Sequence, residues 1–355
     1  MQEFLFKHNI KEKVLAVGVS GGADSLALVL MAREQLAVYG YKIIALTVNH
    51  GLRKSAAKEA EYVAQIMRQH NIEHHILNWQ GEKPETGIEE AARLARYALL
   101  KQWCDENGVK VLLVAHHLLD QAETFLMRLQ RGSGLSGLCA MREVSDFNGL
   151  KIVRPLLNVK PQVLKEYLNA LNIKWIEDES NTDTKFLRNK IRKFLPNLSD
   201  SIGITPERIA EAADNLQSAD DYIESQVDKL FDQSILQYGN EVFCFACADY
   251  LKWHREIKFR VLARLCRRRY IPRADSILQL AGALDKMPFA GMTLGGREIF
   301  TAYGKVWVVP EMMSKHKSTR KEWEDFTAEN PQYKNVKVPH KARLALMKEG
   351  KADDI

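Results

Sequence analysis

Through the first 120 residues, short runs of β-branched and aliphatic residues alternate with longer stretches whose apolar positions recur at helical spacing. This is the pattern of a parallel sheet covered by helices on both faces. Val14 to Val19 reads as a buried strand and Leu26 to Leu36 as the helix after it. Ile43 to Val48 is a second strand, followed by a helix from about Ser55 to His70. Ile72 to Trp79 reads as a third strand. Ile88 to Glu106 reads as a helix that stops at Asn107-Gly108, residues suited to the left-handed turn of a helix C-terminus. Val109 to Ala115 is a fourth strand, and the next helix runs from about Leu119 to Gln130. Residues 131–149, rich in Gly and Ser, read as a loop, with a strand over Lys151 to Leu157 and a short helix over Pro161 to Leu171.

The pattern changes near residue 200, where Pro196, Asn197, Ser199, Asp200, Ser201 and Gly203 cluster and a boundary is expected. Thr205-Pro206-Glu207 has the signature of a helix start: a capping hydroxyl, proline at the first helical position and an acid near the positive end of the dipole. Ile209, Ala213, Leu216, Ile223, Val227 and Leu230 continue one apolar face of that helix to about residue 233. Met292 to Pro310 alternates like a hairpin, with glycines at 295, 296 and 304. The expected architecture is an α/β domain with a doubly wound parallel sheet at 1–200, a smaller, mostly helical domain with a terminal hairpin at 201–310, and an extension at 311–355 that is partly flexible.

Composition narrows the class. The chain has 355 residues, 46% of them hydrophobic, which excludes a disordered polypeptide and suits two or three domains. It contains no apolar run long enough to span a bilayer, and Met1-Gln2-Glu3-Phe4 lacks the features of a secretory signal, so a cytoplasmic protein without membrane contact is expected. Five cysteines, an odd count, fit reduced thiols better than a disulfide framework. The net charge of +6 is a weak indication of nucleic acid, but its distribution is uneven. Residues 1–150 are neutral, 151–200 carry +4, 201–250 carry −8, 251–300 carry +7 and 301–355 carry +3.

Candidate chemistry begins at Ser20-Gly21-Gly22-Ala23-Asp24-Ser25, at the carboxyl end of the first strand and the start of the first helix. Glycines there let the backbone approach an anion, and the helix terminus offers unpaired N–H groups and a positive dipole end, so phosphate or pyrophosphate fits. Ser20 and Ser25 add hydroxyls, and Asp24 makes sense beside a metal ion or a ligand hydroxyl. The loop lacks the lysine and the spacing of the kinase and GTPase P-loop. A literal G-x-G-x-x-G at Gly132 to Gly137 follows a helix where the dinucleotide fingerprint requires a strand, so it is set aside.

The hexapeptide resembles the pyrophosphate loop of the PP-loop ATP pyrophosphatases. Further segments resemble the tRNA(Ile)-lysidine synthetases of that superfamily: Val48-Asn49-His50-Gly51-Leu52-Arg53, Glu90 to Tyr97, His116-His117-Leu118-Leu119-Asp120-Gln121-Ala122-Glu123-Thr124, Arg131 to Leu138, Arg154-Pro155-Leu156-Leu157, Trp175 to Asn181 and Arg188-Asn189-Lys190-Ile191-Arg192. They cover about residues 14–195 in the family's order. Glu179 stands where proline is expected, and the sequence runs to Ile355 without the second C-terminal domain of longer members.

The resemblance implies an adenine-nucleotide α-hydrolase-like fold and a two-step ligation on the wobble cytidine of the isoleucine tRNA with a CAU anticodon. ATP adenylates the C2 oxygen, and the ε-amine of free L-lysine then displaces AMP to give lysidine. The loop residues Ser20, Gly21, Gly22, Ala23, Asp24 and Ser25, with His50, Arg93 and His116, are the expected ATP-binding set. Asp24, Asp120, Glu123 and Arg188 are the expected catalytic set, and Asp24 and Asp120 the expected ligands of Mg²⁺ accompanying ATP. Asp120 and Glu123 share one helix face near its start. Asp120 is either ligand to the lysine amine or general base, with Glu123 in support. Arg93 either clamps phosphate or belongs to a solvated face.

Two features stand apart. Cys244-Phe245-Ala246-Cys247 matches the C-x-x-C of cluster-binding tRNA cytidine thiolases but has no third partner at useful spacing, and reads as buried small hydrophobes. The stretch Lys252 to Arg273, with Arg260, Arg264, Arg267, Arg268 and Arg269, would show a cationic helix face to an RNA backbone or to solvent. The rivals to a lysine ligase are another PP-loop enzyme such as a thiolase, and a non-catalytic RNA-binding protein on a degenerate nucleotide fold. The sequence leaves monomer and homodimer open.

Overall fold

The computed structural model describes residues 1–51, 56–80, 87–177, 187–286, 288–311 and 319–349, with the side chains of Ala57 and Glu89 set aside. Leu52 and Arg53 of the segment starting at Val48, Asp178 to Asn181 of the segment starting at Trp175, and residues 312–318 and 350–355 of the extension lie outside the described residues. The chain divides into two compact units, Met1–Asp220 and Asp221–Ile355.

In the first unit a short helix α1 (Gln2–Lys7) precedes β1 (Val14–Gly18), α2 (Ala23–Leu36), β2 (Lys42–Asn49), α3 (Ala56–Gln69), β3 (Glu73–Asn78), α4 (Ile88–Glu106), β4 (Val111–Leu113) and α5 (Leu118–Gln130). From β1 to α5 the alternation of strands and helices follows the sequence pattern element by element; α1 was not among the expected elements. Residues 131–149 are more ordered than a loop: they hold α6 (Leu135–Leu138) and β5 (Val144–Phe147), which pairs antiparallel with β6 (Leu150–Val153). Arg128 is the reason for much of that order, since its Nη1 donates to the carbonyls of Gly137 and Ala140 at 2.7 and 2.8 Å.

The sheet order is β3-β2-β1-β4-β6-β5, parallel except at the β5 edge. Its central strands β1, β2 and β4 are buried on both faces, which is why they read as continuous apolar runs. Leu15, Val17, Ile43, Ala45, Val111 and Leu113 point into the cluster shared with α2 and α3. Ala16, Ile44, Leu46 and Leu112 point the other way, onto Tyr97, Leu100 and Cys104 of α4. The chain builds outward from β1 through β2 to β3 and then returns to the other side of β1 as β4. The switch point lies between β1 and β4, where such sheets bind ligands.

After β6 come α7 (Pro161–Ala170), α8 (Leu187–Ile202) and the long α9 (Pro206–Ser234). The compositional break near 200 falls at the turn between α8 and α9, while the division into units comes at 220, within α9. Two packing features account for the difference. The α8 helix runs on through Pro196, because Leu195, Ile191 and Leu198 pack with Ala122 and Phe125 of α5 and with Ile209 of α9. The first turns of α9 are then tied down by side chains: Gln217 donates to the carbonyls of Cys139 and Met141, and buried Asp220 accepts from Ser136 and Arg142.

The second unit joins helices to a five-stranded antiparallel sheet of order β7-β8-β11-β10-β9. Its elements are β7 (Leu236–Tyr238), β8 (Val242–Ala246), α10 (Cys247–Lys252), α11 (Arg255–Leu265), α12 (Ala274–Leu284), β9 (Met292–Leu294), β10 (Arg297–Ala302), β11 (Lys305–Pro310), α13 (Arg320–Glu329) and α14 (His340–Glu349). The expected Met292–Pro310 hairpin is its β9–β11 meander. Phe245, Val306 and Val308 face α11 and α12, whereas Val242, Cys244, Trp307 and Val309 face α13 and α14. Thus residues 320–349 of the extension form helices that cover one face of this sheet. Cys244 and Cys247 pack into different clusters on opposite faces and burial raises both thiols, so the pair is built into the core rather than around a shared ligand.

The charge expectation for the basic stretch changes. Arg260 pairs with Glu224 of α9 and Glu256, and Arg264 with Glu224 and Asp228 of α9. Arg268 grips Glu241 through two bonds of 2.6 and 2.9 Å. Much of the +7 segment therefore neutralises the −8 segment within the protein, instead of forming a uniform cationic face.

Candidate active site

The loop after β1 is closed by its own hydroxyls. Ser20 N–H donates to Ser25 Oγ at 3.0 Å, Ser25 Oγ donates to the Gly22 carbonyl at 3.0 Å, and the two serine hydroxyls lie 3.1 Å apart. Gly21 has φ of +85°, and a Cβ there would come within 2.7 Å of Ile176 Cδ1, so only glycine fits without displacement. Ile176 N–H in turn donates to the Gly21 carbonyl at 2.9 Å, anchoring the Trp175–Ile176 segment to the loop. Gly22 is the N-cap of α2 without a side-chain cap bond, which leaves first-turn amides available to an anion.

This loop forms one wall of a cleft of about 410 Å³ at the switch point. Ser20, Gly22, Asp24 and Ser25 line it, with Thr47 to His50 at the end of β2, Glu59 and Ala60 of α3, Arg96 and Tyr97 of α4, and Ala115-His116 after β4. His50 sits edge-on to Trp79, ring centroids 5.9 Å apart. Of the expected set, Ser20, Gly22, Asp24, Ser25, His50 and His116 are on its wall, while Gly21 and Ala23 are not among the lining residues. Arg93 is exposed, its guanidinium 5.2 Å from the Tyr97 ring, and is not among the lining residues; Arg96, one turn on, is.

Next to the cleft, α5 begins with a reciprocal cap. His117 N–H donates to Asp120 Oδ2 at 3.0 Å, and Asp120 N–H donates to His117 Nδ1 at 3.4 Å. The other ring nitrogen, Nε2, lies 3.6 Å from Asp24 Oδ2, so one imidazole joins the two aspartates. From α8, Arg188 donates to Asp120 Oδ1 at 2.6 Å and to Glu123 Oε2 at 2.5 Å, while Arg192 donates to Glu123 Oε1 at 2.6 Å. Glu123 is fully buried, and two arginines compensate its charge. Arg192 and His117 complete a cluster of which the expected set contained Asp24, Asp120, Glu123 and Arg188. The i, i+4 spacing of Arg188 and Arg192 was the available signal for Arg192.

Electrostatics separates these groups. Burial pushes the Asp120 carboxyl up, but His117, Arg188, His116 and the His117 N–H together hold it below its ordinary value. Burial, with Asp120 as a like charge, raises Asp24 against the pull of His117 and Lys165. Burial pushes His116 down to about 3, with Arg154, Arg96 and Arg188 adding to the effect against Asp120, so it is a neutral imidazole at working pH. Asp24 Oδ1 and His116 Nδ1 are buried without a hydrogen-bond partner.

No group of three His, Cys, Asp or Glu among the described residues forms a protein-only metal centre. The orphaned Asp24 oxygen fits a Mg²⁺ completed by phosphate oxygens, the usual mode for a nucleotide-bound magnesium. Asp120 fits less well, because both its oxygens are already engaged by His117 and Arg188.

Residues 1–198 match the PP-loop domain family. The chain is 36% identical over 309 residues to the tRNA(Ile)-lysidine synthase of Wolbachia pipientis wMel, covering 84% of this chain and 72% of that protein. It is 34% identical over 343 residues to the tRNA(Ile)-lysidine synthase of Bradyrhizobium diazoefficiens strain USDA 110, covering 89% and 95%. Among solved structures, the U34-tRNA thiolase NcsA from Methanococcus maripaludis with its 4Fe-4S cluster shares the fold at a TM-score of 0.50 and 19% identity, over 57% of this chain and 71% of that one.

Proposed function

The chain belongs to the tRNA(Ile)-lysidine synthase family, and from that premise we propose that it joins free L-lysine to C2 of the wobble cytidine of isoleucine tRNA with a CAU anticodon, converting ATP to AMP and pyrophosphate. One observation carries this reading. The anion-binding loop after β1 and the carboxylate cluster after β4 meet at the switch point through the Asp24–His117 contact of 3.6 Å. A polyphosphate and an ammonium, the two ionic groups the reaction must bring together, thus have adjoining sites.

In the first step the cytidine O2 forms a bond to the α-phosphorus and the bond to pyrophosphate breaks. The loop amides and Ser20 bind the departing phosphates, and Arg96 supplies positive charge from the cleft wall. Mg²⁺, held by Asp24 and phosphate oxygens, would neutralise charge on the triphosphate. In the second step the lysine ε-ammonium gives up a proton to water, the amine lone pair bonds to C2, and the C2–O bond breaks as AMP leaves with the oxygen. Asp120, held ionised by its neighbours, is better suited to bind the lysine ammonium than to take its proton. As the ammonium takes its place at Asp120, Arg188 is released toward the AMP phosphate. Glu123 keeps Arg192 in position throughout. A cytoplasmic setting suits these substrates, and no described helix is long and apolar enough to cross a membrane.

The test is coupling. With ATP, labelled lysine and unmodified isoleucine tRNA, label enters RNA with one AMP and one pyrophosphate per lysine, and Asp24→Asn abolishes this while tRNA binding persists. ATP turnover that leaves RNA unlabelled overturns the proposal.

A further inference from the structure

The phosphate-binding loop contains no cation of its own, and the nearest arginines on α8 are occupied by Asp120 and Glu123. A half-buried lysine does stand on α7, which packs against α2, the helix that the loop opens. Lys165, on α7, has no ion-pair partner among the described residues and rests with Nζ 5.8 Å from the Trp175 ring centroid. Trp175 is packed against the core that contains Ala23 and Leu26 of α2, and the next residue, Ile176, is hydrogen-bonded to Gly21 of the loop. The aromatic seat of Lys165 is therefore fixed to the loop backbone. Among the charges acting on Asp24, after burial, His117 and Asp120, the ammonium of Lys165 comes next.

We propose that Lys165 is a phosphate-binding residue for the β- and γ-phosphates of ATP, supplying from α7 the cation that the loop itself lacks. In the unliganded protein the ammonium is stored on Trp175, a weak and reversible interaction. A polyphosphate in the loop draws it away from the ring, since a charge-assisted hydrogen bond to phosphate is the stronger contact. The ligand class is inorganic pyrophosphate or the distal end of a nucleoside triphosphate. Nothing in the second half-reaction needs Lys165, because the pyrophosphate has left by then.

This rests on the placement of ATP at the Ser20 loop, and the two ideas separate experimentally. Binding of inorganic pyrophosphate with Mg²⁺ is measured by calorimetry on the full chain, for wild type, Lys165→Met and Lys165→Arg, with thermal melts to verify folding. Lys165→Met is expected to weaken pyrophosphate binding and to raise the KM for ATP about tenfold, the scale of one charge-assisted phosphate contact. The KM for lysine stays unchanged, and Lys165→Arg retains most of the affinity. Equal pyrophosphate affinity in wild type and Lys165→Met overturns the role of Lys165 and leaves the loop assignment standing. Failure of wild type to bind pyrophosphate overturns the loop assignment and the role of Lys165 with it.

Discussion

One imidazole stands between Asp24 and Asp120, and their surroundings shift the two carboxyl groups in opposite directions, Asp24 up and Asp120 down. Asp120 has its folded value depressed, so its contribution to stability is present above the ordinary 3.8 and is lost as pH falls through the lower, folded value. Asp120→Asn should therefore flatten the acid end of a stability profile measured by urea unfolding. His116 titrates in the other window. Its folded value is about 3 against an ordinary 6.5, so the unfolded chain binds the proton first and stability declines as pH drops from about 6.5 toward 3. Replacement by glutamine should remove that limb while leaving the neutral plateau nearly unchanged. At this scale much was legible in the sequence, because Asp24, His116, Asp120 and Glu123 sit in contiguous motifs at strand ends. The pairing of Glu123 with Arg192 was not, since those residues meet only when α8 packs on α5.

Elements explain why the site holds its shape. Gly21 accepts a left-handed conformation and the close approach of Ile176 at once. Gly21→Ala should cost about 1–2 kcal/mol from the backbone alone, with a further loss from the displaced segment, read as a lower melting temperature and a raised KM for ATP. Asp220 is the corresponding anchor of α9. Asp220→Asn leaves Arg142 and Ser136 with a weaker partner and should cost about 1–3 kcal/mol, with faster proteolysis between residues 131 and 143. Strands β1, β2 and β4 of the first unit were readable because both faces of the sheet are buried there, giving apolar runs, whereas β5, half-buried, was read as loop. Those of the second unit were partly hidden. Strand Leu236–Tyr238 has three residues, too few to establish a period. Pro196 looked like a helix end, yet tertiary packing on both sides of it carries α8 onward.

Over the whole molecule, the signed charge along the chain was visible but its use was not. The acidic α9 and the basic α11 neutralise each other through Glu224, Asp228, Arg260 and Arg264. Arg264→Gln should accordingly shift stability by less than about 1 kcal/mol, as a partly exposed pair does. It should also leave the salt dependence of tRNA binding unchanged, because that arginine has no charge to spare for phosphate. The central claim concerns the chemistry done where the β1 loop meets the β4 cluster. It is tested most directly by mass spectrometry of the nucleosides released from unmodified isoleucine tRNA after incubation with the protein, ATP and lysine. The wobble cytidine should gain the mass of one lysine less one water, with wild type and not with Asp24→Asn. An unchanged cytidine, or one carrying sulfur when a sulfur donor is supplied, would contradict it.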